Sequence, residues 1–264
     1  MPRRIVLILL SFIAIGGCAH VSGTTAAHGR FEAREVEVAG QRRRYRVFVP
    51  AAKRAGKPPV ILFLHGSGER GSDNLAQLDA GIGPYLRRHM DDFPAIVVLP
   101  QAPEGGEWLG DNNRVALAAL DAATREFGGD PKRTYLTGLS MGGYGVWNLA
   151  LDEPTRFAAL APICGALHPP RAERPTLLVS AVANEADPYA ALAARLRHVP
   201  AWIFHGARDD VVLPDDDRRA YAALKAAGAE VRYTEFPDAN HNSWDPAYAM
   251  PELWTWLFAQ ELPR

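Results

Sequence analysis

Apolar and polar positions change their spacing repeatedly along this chain. "EVEVAG" (35–40) and "RYRVFVP" (44–50) alternate at every second residue, the period of a half-buried strand, and predict an antiparallel hairpin. "PPVILFLHG" (58–66) is a continuous apolar run, the mark of a strand covered on both faces. "DNLAQLDAGIGPYLRR" (73–88) reads as helical, although Gly81, Gly83 and Pro84 interrupt it. A strand "AIVVLPQA" (95–102) and a helix "NRVALAALDAATREFGG" (113–129) with a glycine stop come next. "RTYLTGL" (133–139) predicts a strand, "GGYGVWNLALDEP" (142–154) a helix and "FAALAPI" (157–163) a strand.

After a less regular stretch, "PAWIFHG" (200–206) is again a buried strand. The next helix opens on Pro214 with Asp215, Asp216 and Asp217 in its first turn and closes near Gly228. "EVRYTEFP" (230–237) and "PAYAMPELWTWLFAQ" (246–260) give the last strand and helix. This alternation predicts one α/β domain over residues 31–264, with a mostly parallel central sheet, helices on both faces and an N-terminal antiparallel hairpin. Residues 166–198 form an irregular insert, prolines first, with a strand-like "TLLVS" (176–180).

Composition adds little to this picture. Of 264 residues 48% are hydrophobic and 22% charged, and the net charge is −1, an ordinary globular balance that gives no reason to expect nucleic acid. Arg42, Arg43 and Arg44 read as a solvated hairpin that resists edge pairing rather than as a phosphate site. The N-terminus changes more. Arg3 and Arg4, an apolar stretch Ile5–Ile15 and then "IGGC" resemble an export signal over residues 1–17, with lipidation of Cys18 and a linker over 18–30. The apolar stretch is shorter than the roughly 20 residues that span a bilayer. Simple cleavage of the signal is the alternative. With Cys18 lipidated, Cys164 has no partner for a disulfide and reads as a buried apolar residue.

Gly138-Leu139-Ser140-Met141-Gly142 sits between a clear strand and a clear helix and fits G-x-S-x-G, a sharp turn that exposes a serine hydroxyl. Such a serine needs a base, and the base needs an acid to orient it. His241, in "DANHNSW" after the last strand, is the candidate base. His65 and His205 end buried strands, where their rings are expected to tie down the following turns. "HGARDDVV" (205–212) supplies two candidate acids, Asp209 and Asp210, of which one faces His241.

The segments "LHGSGERG", "PQAP", "TGLSMGGYG", "FHGARDDVV" and "NHNSW" resemble the α/β-hydrolase superfamily, in its dienelactone hydrolase–phospholipase/carboxylesterase branch near bacterial feruloyl and acetyl esterases. The resemblance covers nearly the whole chain after the linker. It implies a serine esterase that uses Ser140, His241 and Asp209, since the family's acid lies four residues after the histidine of "HG". Serine departs from the cysteine of true dienelactone hydrolases and points to carboxylic ester hydrolysis. The expected oxyanion donors are the N–H groups of Met141 and Ser67, and no cofactor or metal is expected. Trp108 and Trp244 would lie near the mouth, either stacking on a sugar or aryl ring or packing the rim. A serine peptidase of the prolyl oligopeptidase type and a silent envelope-binding lipoprotein are the alternative functions. The insert is expected to pack over the site, the competing placement being a remote sheet edge.

Overall fold

The computed structural model describes residues 28–51 and 56–263, so the proposed export signal and Cys18 lie outside the described residues. In chain order the strands are β1 (Arg30–Val38), β2 (Gln41–Val49), β3 (Val60–Leu64), β4 (Ile96–Pro100), β5 (Thr134–Leu139), β6 (Ala159–Ile163), β7 (Ala201–Gly206) and β8 (Val231–Phe236). The helices are α1 (Ile82–Arg88), α2 (Asp111–Glu126), α3 (Met141–Asp152), α4 (Pro188–Leu196), α5 (Pro214–Ala226), α6 (Trp244–Ala249) and α7 (Pro251–Phe258). One sheet holds all eight strands in the order β1-β2-β4-β3-β5-β6-β7-β8. The pairs β1–β2 and β2–β4 are antiparallel and the rest parallel, which is the predicted α/β-hydrolase architecture.

Period two along the central strands feeds two cores. Val60, Leu62 and Leu64 of β3 pack into the core that α2, α3, α4 and α5 cover. Ile61 and Phe63 point the other way, into the core under α1, α6 and α7. The hairpin turns at Ala39 and Gly40, both with positive φ (51° and 75°), the two-residue turn whose twist suits paired strands. The three arginines therefore lie within β2 itself, opposite Glu35, Val36 and Glu37 of the edge strand.

Three segments depart from the expected elements. Within "DNLAQLDAGIGPYLRR" only Ile82–Arg88 is α-helical, after a single 3₁₀ turn at Ala76–Leu78. The Asp73 carboxylate accepts from the N–H groups of Leu75 and Ala76 (2.9 and 3.2 Å), a local bond that competes with helix propagation. The C-terminal helix is two helices, because Met250 precedes a proline and is extended (φ −75°, ψ 115°). "TLLVS" is not a strand. Its apolar side chains Leu177 and Val179 are buried, but its backbone is satisfied by the Arg174 and Leu167 carbonyls and by a side chain of α3 rather than by a ladder. Asn148 donates to the Leu178 carbonyl (3.0 Å) and accepts from the Ser180 N–H (2.9 Å). The insert's one regular element is α4, capped by the Asp187 side chain.

Candidate active site

The parallel strands end on one side of the sheet, and the predicted site residues sit on the loops there. β5 turns into α3 through Ser140, whose backbone is strained at φ 52°, ψ −117°. Its N–H donates to the Ile163 carbonyl at the end of β6 (2.9 Å), and its carbonyl accepts from Gly143 (2.7 Å). A Cβ on Gly142 would stand 1.9 Å from the Leu64 carbonyl oxygen, so this turn closes only with glycine there.

His241 lies in the loop between β8 and α6. Its Nδ1 is 2.7 Å from Asp209 Oδ2, and its Nε2 is 2.9 Å from Ser140 Oγ. A carboxylate accepts, so Nδ1 carries the hydrogen and Nε2 is left to accept the serine O–H. The other Asp209 oxygen accepts from the N–H groups of Val211 and Val212, both at 2.9 Å. Asp209 is 3% exposed. Burial would raise its pKa, but hydrogen bonds from His205 and His241 and the Val212 N–H outweigh that and hold it well below the usual carboxylate range. Asp210 is exposed. The fold thus brings Asp209, not its neighbour, to His241. The histidine loop crosses β7 so closely that a Cβ on Gly206 would lie 2.1 Å from the Asn240 carbonyl oxygen.

Met141 opens α3, where a backbone N–H has no helical acceptor four residues back. Ser67 opens a 3₁₀ turn (Ser67–Glu69) directly after β3. Both residues have an arginine against their side chains. Arg174, from the insert, reaches Ser67 Oγ with both terminal nitrogens at 3.2 Å, and Arg70 Nε lies 3.3 Å from Met141 Sδ. Sequence reasoning missed both arginines, and no spacing in the chain singles them out.

Trp244 is half-buried, with its ring beside that of His241. Trp108 is not at the mouth. It is 2% exposed, its Nε1–H donates to the His65 carbonyl (2.9 Å), and it covers Gly145 of α3, so the expectation that it meets a substrate ring is corrected: it is core. The glycine at 145 makes the flat seat that an indole fills.

His65 and His205 tie down turns as predicted. His65 Nδ1 donates to the Gly66 carbonyl (2.6 Å) and Nε2 accepts from the Ala102 N–H (2.9 Å), and burial pushes its pKa down to about 4. Cys164 is buried beneath the site, and burial pushes its thiol above the ordinary range. Its Sγ, an Asp209 oxygen and a His241 nitrogen lie within 4.8 Å of one another, the one such trio among the described residues. A neutral thiol and an aspartate–histidine pair already bonded to each other make a poor cation site.

Beside the acid loop is a cavity of about 320 Å³, lined by Tyr144, Val212 and Leu213 together with insert residues His168, Pro170 and Tyr189. Arg219 of α5 lies over the Tyr189 ring, 4.1 Å from its centroid.

Residues 37–263 match the family described as "Putative esterase". The protein named "Putative esterase NocK" from Nocardia uniformis subsp. tsuyamanensis is 33% identical over 195 residues, 67% of this chain and 55% of that protein. A crystal structure of a thermostable esterase aligns with TM-score 0.69 at 31% identity, over 88% of this chain and 63% of that one. A ferulic acid esterase aligns with TM-score 0.68 at 19% identity, over 88% of this chain and 98% of that one. The chain therefore spans less than two thirds of the length of NocK and of the thermostable esterase.

Proposed function

Because the chain belongs to this esterase family, we propose that it is a carboxylic ester hydrolase acting through an acyl-enzyme on Ser140. The observation that carries the reading is the relay of contacts from Ser140 Oγ to His241 Nε2 (2.9 Å) and from His241 Nδ1 to Asp209 Oδ2 (2.7 Å). In this mechanism Ser140 Oγ attacks the ester carbonyl carbon while His241 Nε2 takes its proton. Asp209 holds the ring and stabilises the imidazolium that forms. The N–H groups of Met141 and Ser67 receive the tetrahedral oxyanion. As the C–O bond to the alcohol breaks, His241 returns the proton to the leaving oxygen. Water then repeats the sequence on the acyl-serine and releases the acid.

The insert at 166–198 supplies a wall of the substrate cleft in this reading, supported by the Arg174 contact with Ser67 and by the cavity that His168, Pro170 and Tyr189 help to line. Tyr189, Pro169, Pro170 and exposed Leu213 suit a flat ring or a short acyl chain, so feruloyl, acetyl-sugar and small lipid esters are the substrate classes to test. The catalytic domain is residues 31–264. Residues 1–17 direct export and Cys18 carries the lipid that anchors the domain to the bacterial envelope, supported by the arginines, apolar run and "IGGC". Loss of palmitate labelling in Cys18→Ser tests that part.

A fluorophosphonate probe together with a nitrophenyl ester panel tests the enzyme reading. Labelling with ester turnover supports it, and an unlabelled, inactive chain refutes it. Faster cleavage of blocked dipeptides than of esters would move it to a peptidase.

A further inference from the structure

His205, the penultimate residue of β7 and four residues before Asp209, is fully buried and has no part in the mechanism above. Its Nε2 is 2.9 Å from the Val212 carbonyl oxygen and 3.2 Å from Asp209 Oδ2. Its Nδ1 is 2.8 Å from Asp217 Oδ2, in the first turn of α5. A carbonyl only accepts, so Nε2 carries a hydrogen, and Nδ1 faces a carboxylate. An imidazole that donates from both nitrogens is a cation. Asp209 Oδ2 is also the oxygen that receives His241 Nδ1–H, so a single carboxylate oxygen lies between two histidine rings.

Burial alone would strip the proton from His205, but the carboxylates of Asp209 and Asp217 outweigh it and hold the ring's pKa well above the ordinary histidine value. Burial likewise pushes Asp217 up, against the pull of His205. Other ionisable groups surround the pair. Asp216 neighbours Asp217. Glu235 lies opposite His205 on β8 and is bound by Arg218 and Tyr233. The Tyr144 phenol on α3 and the Cys164 thiol after β6 complete the set. Among the described residues Asp209 and Asp217 are the charged groups in contact with the ring.

We propose that His205, kept as an imidazolium by Asp217, is a positioning residue for Asp209: its Nε2–H holds the Val212 carbonyl of the acid loop, and its charge, 3.2 Å from the carboxylate oxygen that His241 uses, favours the ionised carboxylate. No bond is made or broken in this role. The kinetic arms of the test rest on the ester-hydrolase reading, and the spectroscopic arm does not.

Long-range ¹⁵N NMR of the full chain at neutral pH should show both His205 nitrogens protonated. A neutral His205 ring overturns the proposal, whether or not the protein hydrolyses esters. His205→Gln keeps an uncharged N–H donor near the Nε2 position. Losing a nearby positive charge raises the proton affinity of the Asp209–His241 pair. The acid limb of kcat/KM on nitrophenyl acetate should therefore move up by about one pH unit, with kcat down about tenfold and KM within about twofold. Unchanged kinetics, or a rate loss with the limb unmoved, would reduce His205 to a structural prop and overturn the proposal. Should His205→Gln fail to fold, Asp217→Asn is the readout. It removes the carboxylate that holds the second ring proton, so an alkaline limb should move down by about one pH unit. An alkaline limb equal to wild type overturns the proposal.

Discussion

Trp244 stands edge-on to His241, with ring centroids 5.5 Å apart and planes at 88°. The indole packs against the imidazole and is itself only half-buried. An aromatic pair of this kind contributes about 0.5–1.5 kcal/mol, a factor of about 2 to 13 in binding. Trp244→Ala should raise KM for aryl esters by that factor while kcat on nitrophenyl acetate stays within about threefold. Equal losses on aryl and alkyl esters would assign the indole to packing.

Ser140→Ala should leave the protein folded and abolish turnover, because the hydroxyl fills no core space. The loss should approach the roughly 10⁶-fold scale of a removed nucleophile. Initial rates on a nitrophenyl ester check this, and a tenth of wild-type kcat would exclude Ser140 as nucleophile.

Asp209→Asn should cost on the order of 10⁴-fold in kcat, since an amide cannot stabilise the imidazolium that forms during attack. Asp210→Asn should stay near wild type, because that side chain is exposed and His241 bonds to Asp209 instead. Parallel kinetics on the two variants decide between the neighbours.

His65 gives a pH signature in stability rather than in rate. Its folded pKa of about 4 lies below the ordinary value of 6.5, so the unfolded chain takes up a proton first as the pH falls. Its contribution is complete above about pH 6.5 and is lost progressively down to about pH 4, up to about 3 kcal/mol in all. His65→Gln should have lower stability at neutral pH and a flatter stability curve across that window, measured by urea unfolding. A slope equal to wild type would mean that another group drives the acid transition.

Tyr189→Ala should widen the cavity beside the acid loop. The preference for longer over shorter nitrophenyl esters should rise by about tenfold, with acetate hydrolysis little changed. A chain-length profile identical to wild type would place that cavity off the acyl path.

Ser140 and His241, now proposed for catalysis, were legible in the sequence because each stands in a turn that it marks on both sides, whereas only the family resemblance separated Asp209 from Asp210. Ser140 sits between a buried strand and a helix, and glycines flank it. Asp209 and His241 follow apolar runs at the same end of the sheet. Trp108 was not legible, because an indole after two glycines reads equally as rim or core until Gly145 is seen to receive it. Nor was the irregular path of "TLLVS", whose apolar content matches a strand. The side chain of Asn148, thirty residues away, satisfies its backbone, and no local pattern announces that. The split at Met250 was in plain view as Met-Pro, and the apolar periodicity across it masked the break.

The contact between His241 and Ser140 joins residues 101 positions apart, and the strand that carries the histidine loop is the last on its edge of the sheet. During synthesis the serine emerges long before the group that would activate it. A nascent chain, or one cut ahead of residue 241, holds Ser140 without a base. In the proposed mechanism reactivity therefore begins only when β8 docks beside β7, as a late product of folding, and the order of translation itself would keep the unfinished protein inert.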